Sequence, residues 1–407
     1  MNFSFHLPKY NPKNLAVKLN FKGEQSVLQG HPWIFENQIV KISQEAKTGD
    51  LCIIFSKTKN KMIGIGLYDA ASTIRIKVIY HGQEKKTIDA DFFRKKIKKA
   101  FEKRRSLLQT KTNSYRLIFG ENDGFPGFIA DFYAGVLVLK LYSEIWLPFL
   151  KSILESLQQI SKTETIVIRL SRQLQKNNSL ELFDGQVVFG SLENEVVKFW
   201  EHGVRFSANV IKGHKTGYFL DHRHNRKRVG ELSKNKTVLD VFSYAGGFSV
   251  HALANCAKEV TSVDISHQAL NIARENVKLN NHKGVHKTIA GDAFELLENL
   301  IKLNSSFDIV VIDPPSFAKQ QSEIKLAKKK YAQLALLGAK LINKGGVLVL
   351  ASCSSRVSSQ AFFDLNQQTL SNNGFQFEIL SKTTHDIDHP IGFPEGAYLK
   401  CGYYTVR

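Results

Sequence analysis

Apolar and polar residues alternate in short runs at the start of the chain. Residues 73–79 alternate with the period of a half-buried strand. Two further apolar runs, at residues 51–55 and 62–67, flank a polar segment at residues 57–61 that is typical of a hairpin tip. The pattern therefore predicts a small β-barrel with few helices over residues 1–85.

A strongly basic amphipathic helix is predicted next. Residues 91–108 carry Lys and Arg on one face and apolar side chains at helical spacing on the other, namely Phe93, Ile97, Phe101 and Leu108. Strand-like segments around 127–131 and 136–141 follow, and then a helical segment near 146–160. We predict an α+β middle domain over residues 86–205.

After about residue 213, strand-like segments alternate with helical ones. The strand-like segments are 237–242, 259–264, 308–313, 346–352 and 397–406. Helical runs between them include 268–279 and 326–342, and Gly345 is expected to end the second. Such alternation implies parallel strands joined by crossover helices, so we predict an α/β fold, a Rossmann-like doubly wound sheet, over residues 206–407. Sheets of this kind bind ligands beyond the carboxyl ends of their strands.

The first of these strand ends has glycines. The strand that contains Asp240 leads through Phe242 and Ser243 to Gly246 and Gly247, and a helix follows. Glycines let a ligand approach the backbone closely, and the start of a helix offers amides to a carboxylate. A Gly-Gly pair after a strand is, taken singly, usually only a turn.

Acidic residues occur at the next strand ends. Asp264 ends the following strand, at a spacing that suits a carboxylate on ribose hydroxyls. Asp292, followed by Ala293, can hold an adenine amino group, and Asp313 begins an Asp-Pro-Pro-Ser loop. A strand-terminal Asp is often only a helix cap. Four such features in order, each at a strand end, nevertheless favour a nucleoside-bearing ligand.

The loop sequence also distinguishes between cofactors. A nicotinamide cofactor requires G-x-G-x-x-G, whereas this loop has D-x-F-x-x-x-G-G from Asp240 to Gly247. An acid at the start of the loop suits a ligand with a cationic amino group better than a pyrophosphate. S-adenosylmethionine carries both signs of charge on its amino acid end, and it is the cofactor that we predict.

Asp313 and Cys353 are the candidate catalytic residues. A carboxylate held in the rigid proline loop accepts a hydrogen bond from the exocyclic amine of a base, which by itself fits methylation of a base nitrogen. Carbon 5 of cytosine is not nucleophilic until a thiolate adds to carbon 6, and Cys353 follows the next predicted strand. The alternative is a buried structural cysteine, as we expect for Cys52, Cys256 and Cys401.

The charge of the chain points to a polyanionic partner. Lys and Arg number 56 against 37 Asp and Glu, a net charge of +19. RNA binding accounts for such an excess, although a generally basic surface does so too. Four lysines that follow the Asp313 loop are the best candidates for RNA contacts, and a solvated helix face is the alternative. They are Lys325, Lys328, Lys329 and Lys330.

The four cysteines lie far apart without a C-x-x-C pair, which argues against zinc and against a disulfide framework. No apolar run resembles a signal peptide or has the length of a membrane span. We therefore expect a cytoplasmic protein with no metal and no membrane association.

The chain resembles the large-subunit ribosomal RNA cytosine-5 methyltransferases that join an N-terminal PUA domain to a class I methyltransferase domain. Besides the motifs above, the resemblance rests on Gly30-His-Pro-Trp-Ile-Phe35, Glu121-Asn-Asp-Gly-Phe-Pro-Gly127, His214-Lys-Thr-Gly-Tyr-Phe-Leu-Asp221, Asp388-His-Pro390 and Pro394-Glu-Gly-Ala-Tyr-Leu-Lys400. It implies an N-terminal PUA-like β-barrel, binding of large-subunit ribosomal RNA, and Cys353 as nucleophile. It also implies that Tyr218, Phe219 and Asp221 lie near the methionine part of the cofactor. A homodimer is the oligomeric state that we expect.

Two positions differ from related enzymes. Many RNA cytosine-5 methyltransferases have a second Cys where this chain has Ser316, but the PUA-linked group lacks it. Gln is expected after Asp221 in the cytosine enzymes, whereas this chain has His222, and Asp-His-Arg resembles the related guanine-directed ribosomal methyltransferases. Two alternatives therefore stay open. One is a methyltransferase for guanine or another base nitrogen of RNA on the same fold, and the other is a catalytically degenerate RNA-binding assembly factor.

Overall fold

The computed structural model describes residues 3–5, 10–57, 60–176 and 181–407. The chain forms two compact units. The first comprises Met1–Trp200, Ser207–Leu220 and Ile387–Gly396, and the second comprises Glu201–Phe206, Asp221–Asp386 and Ala397–Arg407. The three-domain division at residues 85 and 205 stays a prediction. The predicted hairpin tip at residues 57–61 lies partly outside the described residues, since 58 and 59 are not among them.

A six-stranded mixed sheet occupies the N-terminal part of the first unit. Its strands are β1 (Asn14–Leu19), β2 (Trp33–Ile34), β3 (Ile39–Ile42), β4 (Leu51–Phe55), β5 (Met62–Tyr68) and β6 (Ile76–His81), in the order β2-β6-β5-β4-β1-β3. Strand β1 is parallel to β4, and the other pairs are antiparallel. Helix α1 (Phe21–Leu28) begins where the side chain of Asn20 accepts a hydrogen bond from the amide of Gly23. Alternate residues of β1 are fully buried, as strand periodicity requires.

A five-stranded sheet and two helices complete the first unit. The sheet has the order β11-β10-β9-β8-β7, with β7 (Ser114–Phe119), β8 (Phe128–Tyr133), β9 (Val136–Leu141), β10 (Thr165–Leu170) and β11 (Gln186–Phe189). Helices α2 (Ala90–Arg104) and α3 (Leu150–Ser161) bury Phe93, Ile97 and Leu154 in its core. The prediction that Leu108 joins this face is wrong, because α2 ends at Arg104 and a 3₁₀ turn buries Leu107 instead and leaves Leu108 exposed.

Arg104 and Asp388 form a buried polar network inside this unit. The guanidinium of Arg104 donates to both carboxylate oxygens of Asp123, at 3.0 and 2.5 Å, and to the carbonyl oxygen of Asp388 at 3.1 Å. The Asp388 side chain accepts from the amide of Arg116 at 2.9 Å and contacts Nδ1 of His389 at 2.8 Å. Arg104 therefore does not belong to the exposed basic face of α2 that the sequence suggested, and Asp388-His389 has a structural role here.

The second unit contains a seven-stranded sheet in the order β16-β15-β14-β17-β18-β20-β19. Its strands are β14 (Thr237–Val241), β15 (Glu259–Asp264), β16 (Val285–Ala290), β17 (Phe307–Ile312), β18 (Ile342–Ser352), β19 (Phe377–Thr383) and β20 (Lys400–Val406). The five strands from β16 to β18 are parallel, whereas β20 is antiparallel to β18 and β19. The predicted doubly wound α/β fold is confirmed. A two-stranded sheet of β12 (Val196–Glu201) and β13 (Val204–Asn209) precedes it.

Six helices belong to the second unit. They are α4 (Arg223–Leu232), α5 (Gly247–Ala254), α6 (His267–Lys278), α7 (Ala293–Lys302), α8 (Ile324–Lys340) and α9 (Ser359–Asn372). Gly345 does not end α8, because the helix stops at Lys340 and Gly345 lies within β18 with φ of +78°. The prediction that Cys256 packs in the interior is also wrong, because it is exposed in a left-handed turn after α5. No helix in the described part of the chain is long and apolar enough to cross a membrane.

A buried ion cluster links β12 to α4 and α5. The carboxylate of Glu201 accepts from Nε and Nη2 of Arg226, at 2.7 and 2.6 Å, and contacts Nε2 of His251 at 2.9 Å. All three side chains are almost completely buried. Burial alone would raise the pKa of Glu201, but Arg226 and His251 hold this pKa well below its usual range.

We expect Glu201→Gln to lower the free energy of unfolding by roughly 3–5 kcal/mol, because a buried guanidinium loses its counter-charge. The pKa of Glu201 is lower in the folded chain, so its stabilisation is present above the unfolded pKa of about 4 and is lost as the pH falls below it. Urea unfolding followed by circular dichroism, between pH 7 and pH 3, measures both effects. Glu231→Gln removes an exposed acid of α4 and is the control. Equal stability of the two variants would contradict the prediction.

Candidate cofactor and catalytic site

In the seven-stranded sheet, the strand order changes direction between the neighbouring strands β14 and β17. These parallel strands lie side by side, with Val241 opposite Ile312. The chain continues from β14 to β15 on one side and from β17 to β18 on the other. The residues that follow β14, β15, β17 and β18 therefore share one edge of the sheet, at the switch point where open α/β sheets bind ligands.

The loop after β14 has an unusual backbone. Phe242 and Tyr244 have φ of +62° and +48°, and Gly246 has φ of +74°. Left-handed conformations of non-glycine residues cost of order 1–3 kcal/mol each and occur most often at ligand sites. A Cβ on Gly246 would lie 2.8 Å from Cβ of Ala273, so glycine is required for α6 to approach this loop.

Asp264 fixes the shape of this loop. One of its carboxylate oxygens accepts from the amide of Tyr244 at 2.8 Å, and the other accepts from the amide of Ser266 at 2.9 Å. The same side chain thus holds the loop after β14 and the start of α6. The next residue, Ile265, is 73% exposed, which is unusual for a large apolar side chain at a strand end. No sequence pattern indicates Ile265, and only its exposure distinguishes it.

Asp240 lies at the centre of the switch point and is fully buried. Its Oδ2 accepts from the amide and hydroxyl of Ser249, at 3.0 and 2.6 Å, whereas its Oδ1 has no hydrogen-bond partner in the described structure. Burial, together with the charges of Asp313 and Asp264, raises the pKa of Asp240 to about 7. A buried acceptor without a partner is costly, so an N–H donor from a ligand fits this position. The buried hydroxyl of Ser243 also lacks a partner there.

Asp292 has the capping geometry that is common for strand-terminal acids. It is exposed, and its Oδ1 accepts from the amides of Phe294 and Glu295 at 2.9 and 3.3 Å, which makes it the N-cap of α7. Ala293, the first residue of the helix, is buried. Asp292 nevertheless follows β16 at the same edge of the sheet as Asp264.

Asp313 contacts a buried histidine. Its Oδ1 lies 3.3 Å from Nε2 of His222, which is 5% exposed. Burial opposes a charge on His222, but the carboxylates of Asp313 and Asp221 outweigh it and raise the pKa of this imidazole. In the sequence His222 is only a departure from the expected motif, and its contact with Asp313 was not predicted.

Asn225 determines which nitrogen of His222 carries the proton. Oδ1 of Asn225 accepts from the hydroxyls of Thr383 and Tyr403, at 2.6 and 3.0 Å, so its Nδ2 faces Nδ1 of His222 at 3.1 Å. An amide nitrogen can only donate. Nδ1 of His222 is therefore the acceptor, and the proton of the neutral ring lies on Nε2, the nitrogen 3.3 Å from Oδ1 of Asp313.

Cys353 follows β18 and lies beside the Asp313 loop. Its Sγ is 3.9 Å from the carbonyl oxygen of Pro314, and the side chain is partly exposed. Burial and the carboxylates of Asp313 and Asp221 raise the pKa of this thiol to about 12, whereas Lys400 acts in the opposite direction. The structure thus brings the two predicted catalytic residues together.

Lys400 and Tyr398 complete the surroundings of the site. The Lys400 ammonium is fully buried and donates to the backbone carbonyls of Ser354, Val357 and Tyr398. The Tyr398 hydroxyl donates to Oδ2 of Asp221 at 2.8 Å. Both belong to the Pro394–Lys400 segment that carries the family resemblance, but no sequence pattern indicates these contacts.

Tyr218 and Phe219 belong to the first unit, and Asp221 begins the second. Tyr218 is buried with its ring 5.2 Å from that of Phe199, and Phe219 is 37% exposed. On α8, Lys325 and Lys329 are exposed, whereas Lys328 and Lys330 are partly buried. The Lys330 ammonium lies 5.1 Å from the ring centre of Phe317.

No cluster of three or more His, Cys, Asp or Glu side chains suited to a metal ion occurs among the residues that the structure describes. The unpartnered oxygen of Asp240, the strained loop and the strand-end acids instead fit an organic ligand with an amino group.

Comparison with known proteins supports this conclusion. Residues 116–377 match the family of S-adenosylmethionine-dependent methyltransferases, and residues 17–80 match a PUA-like domain. The chain is 38% identical over 406 residues to a ribosomal RNA large subunit methyltransferase of Deinococcus radiodurans, which covers 98% of this chain and 99% of that protein. It is 34% identical over 382 residues to ribosomal RNA large subunit methyltransferase I of Escherichia coli, with 93% and 96% covered.

Solved structures show the same fold. A putative methyltransferase from Streptococcus mutans superposes with a TM-score of 0.80 at 18% identity, over 96% of this chain and all of that chain. A putative methyltransferase complexed with SAH also has a TM-score of 0.80, at 19% identity, over 97% of this chain and all of that chain. The chain belongs to the family of S-adenosylmethionine-dependent ribosomal RNA large subunit methyltransferases that carry an N-terminal PUA-like domain.

Proposed function

We propose that this protein transfers a methyl group from S-adenosylmethionine to carbon 5 of a cytosine in large-subunit ribosomal RNA, with Cys353 as the nucleophile. The observation that carries the proposal is the position of Cys353 after β18, with its Sγ 3.9 Å from the Pro314 carbonyl oxygen in the Asp313 loop. Methylation of a base nitrogen needs no thiol at this place. The names of the relatives support ribosomal RNA as the substrate.

In the proposed reaction, S-adenosylmethionine supplies a methyl group on a positively charged sulfur. The Cys353 thiolate forms a bond to carbon 6 of the cytosine, and the electron pair of the 5,6 double bond moves to carbon 5. Carbon 5 takes the methyl group, and the electron pair of the broken methyl–sulfur bond stays on the sulfur. A base then removes the proton from carbon 5, the double bond re-forms, and the sulfur–carbon bond to Cys353 breaks. Asp313 holds the cytosine by accepting a hydrogen bond from its exocyclic amine.

The geometry of the sheet edge supports the proposed cofactor contacts of the second unit. Oδ1 of Asp240 accepts from the amino group, and Asp264 and Asp292 hold the ribose and the adenine. The other residues that we propose to contact the cofactor are Asp221, Phe242, Ser243, Gly246, Gly247, Ala293 and Asp313. Tyr218 and Phe219 stay predictions from the family resemblance.

RNA binding is proposed from charge and from the family. The net charge of +19, the PUA-like match and the lysines of α8 support it, with Lys325 and Lys329 as the exposed members of the set. The homodimer stays a prediction.

Guanine methylation is the second candidate function. The observation that favours it is His222 in the Asp-His-Arg run. The contact of this imidazole with Asp313 is compatible with either guanine or cytosine as the substrate base. Cys353 in the same site favours cytosine.

The cytosine proposal predicts a specific labelled nucleoside. Unmodified large-subunit RNA, incubated with the enzyme and isotope-labelled S-adenosylmethionine, should yield label in 5-methylcytosine on nucleoside mass analysis. Cys353→Ala should yield none, whereas Cys256→Ala, which removes an exposed cysteine, should behave as wild type. Label in a guanosine or adenosine that persists in Cys353→Ala would assign the reaction to a base nitrogen.

The ionisation of Asp240 should make the affinity for the cofactor depend on pH. Because its pKa is raised to about 7, the fraction that is ionised falls roughly eightfold between pH 7.5 and pH 6. The affinity for S-adenosylmethionine, measured by titration calorimetry, should fall by about this factor, and Asp240→Asn should bind weakly without this dependence. Methylthioadenosine lacks the amino acid end and is the control ligand. A similar pH dependence in Asp240→Asn would rule out this carboxylate as its source.

His222 is proposed to orient the Asp313 carboxylate through its Nε2 proton. His222→Leu should lower kcat about 10- to 100-fold, the value of a hydrogen bond to a charged group, with little change in cofactor affinity. His222→Gln retains an N–H donor and should recover most of the activity. Equal defects in both variants would show that the imidazole acts otherwise.

A further inference from the structure

Lys400 is a buried cation with an unusual set of partners. Its side chain is fully buried, and its ammonium donates to the carbonyl oxygens of Val357 at 2.6 Å and Tyr398 at 3.0 Å, and to that of Ser354. In the described structure no carboxylate pairs with it. Other buried cations are compensated, because Lys77 pairs with Asp69 and Arg104 pairs with Asp123. A buried charge without a counter-charge is costly. The buried Lys400 ammonium therefore suits an anion that forms nearby only during the reaction.

The position of Lys400 indicates which anion this is. Two of its three carbonyl partners, Ser354 and Val357, belong to the loop that carries Cys353. In the sheet, Lys400 of β20 stands opposite Ser352, the residue before Cys353. The ammonium thus binds the backbone of the loop that carries the proposed nucleophile.

We propose that Lys400 is a positioning residue for Cys353, which holds the 352–357 loop through its carbonyls and provides the positive charge that stabilises the Cys353 thiolate. The inference rests on the proposed role of Cys353 as nucleophile. In the step concerned, the S–H bond of Cys353 breaks, the proton passes to water and the electron pair stays on sulfur. Lys400 keeps all three of its hydrogens.

The charges around Cys353 make such a cation necessary. Burial opposes a thiolate, as do the carboxylates of Asp313 and Asp221. Tyr331 of α8 also interacts electrostatically with the thiol, and its hydroxyl accepts from Ser352 at 3.0 Å. Lys400 acts on the thiol in the favourable direction. Burial lowers the pKa of Lys400 itself to about 8, so its charge is present at neutral pH and is lost as the pH rises through 8.

A merely structural role for Lys400 makes a different prediction from an electrostatic one. Lys400→Gln keeps two N–H donors for the loop carbonyls and removes the charge, whereas Lys400→Arg keeps the charge. The rate at which iodoacetamide alkylates Cys353 reports its thiolate fraction. It can be measured on the full chain by peptide mass spectrometry between pH 6.5 and pH 9.5, with neither RNA nor cofactor present. The exposed Cys256 is the internal reference.

We expect Lys400→Gln to slow alkylation of Cys353 at pH 7.5 about tenfold, which corresponds to about one pKa unit, while Cys256 is unaffected. Lys400→Arg should stay within about threefold of wild type. Lys77→Gln, at a buried lysine of the first unit, should leave the Cys353 rate unchanged. Equal rates in Lys400→Gln and wild type, or equal losses in Lys400→Gln and Lys400→Arg, would overturn the proposal.

The pH profile of the wild type tests the proposal without any variant. Above pH 8 the rate for Cys353 should rise by clearly less than tenfold per pH unit, because Lys400 loses its charge there. A tenfold rise per unit up to pH 9.5 would overturn the proposal even if Lys400→Gln failed to fold. Because alkylation needs no RNA, a failure to find 5-methylcytosine would refute the proposed function and leave this result unchanged.

Discussion

The parallel pairing of β14 with β17 is the constraint on which the site depends. Because the two strands run side by side in register, the residues that follow them must share one edge of the sheet, and the crossovers to β15 and β18 bring two further strand ends to the same place. Residues from Asp240 to Cys353 are thus assembled by backbone hydrogen bonds rather than by sequence proximity. Asp264 then fixes the loop after β14 and the start of α6 with one carboxylate.

The electrostatics of this edge are dominated by negative charge. Asp240, Asp264 and Asp313 are close enough that the charges of the last two raise the pKa of the first. Such a cluster favours a cofactor that brings positive charge, but it disfavours a thiolate at Cys353. The same acids that suit the cofactor therefore oppose a thiolate at the proposed nucleophile. In our proposal the Lys400 ammonium compensates for this effect.

The sequence was sufficient for features that depend on periodicity and strand ends. The strand at Glu259–Asp264 was predicted with the correct bounds. The alternation of strand-like and helical segments led to the confirmed fold, and the order of strand-end acids led to the confirmed cofactor class. Edge strands such as β19 were missed, because β19 is half polar and lacks the signal of a buried strand. The contacts of His222 and Lys400 join residues that are distant in the chain, and no local pattern encodes them. The meaning of Asp388-His389 could not be inferred either, because its partners lie far away in sequence.

The place of β20 in the sheet has a consequence for how the protein is made. This strand is synthesised after β18 and β19, yet it lies between them and forms antiparallel ladders with both. While the chain is still emerging, β18 has an open edge and Cys353 lacks the ammonium beneath its loop. Folding during translation can form most of the parallel strands before β20 has been made. The proposed nucleophile therefore acquires this ammonium only when β20 pairs with β18, so a nascent chain that has not yet inserted β20 lacks part of the proposed catalytic site.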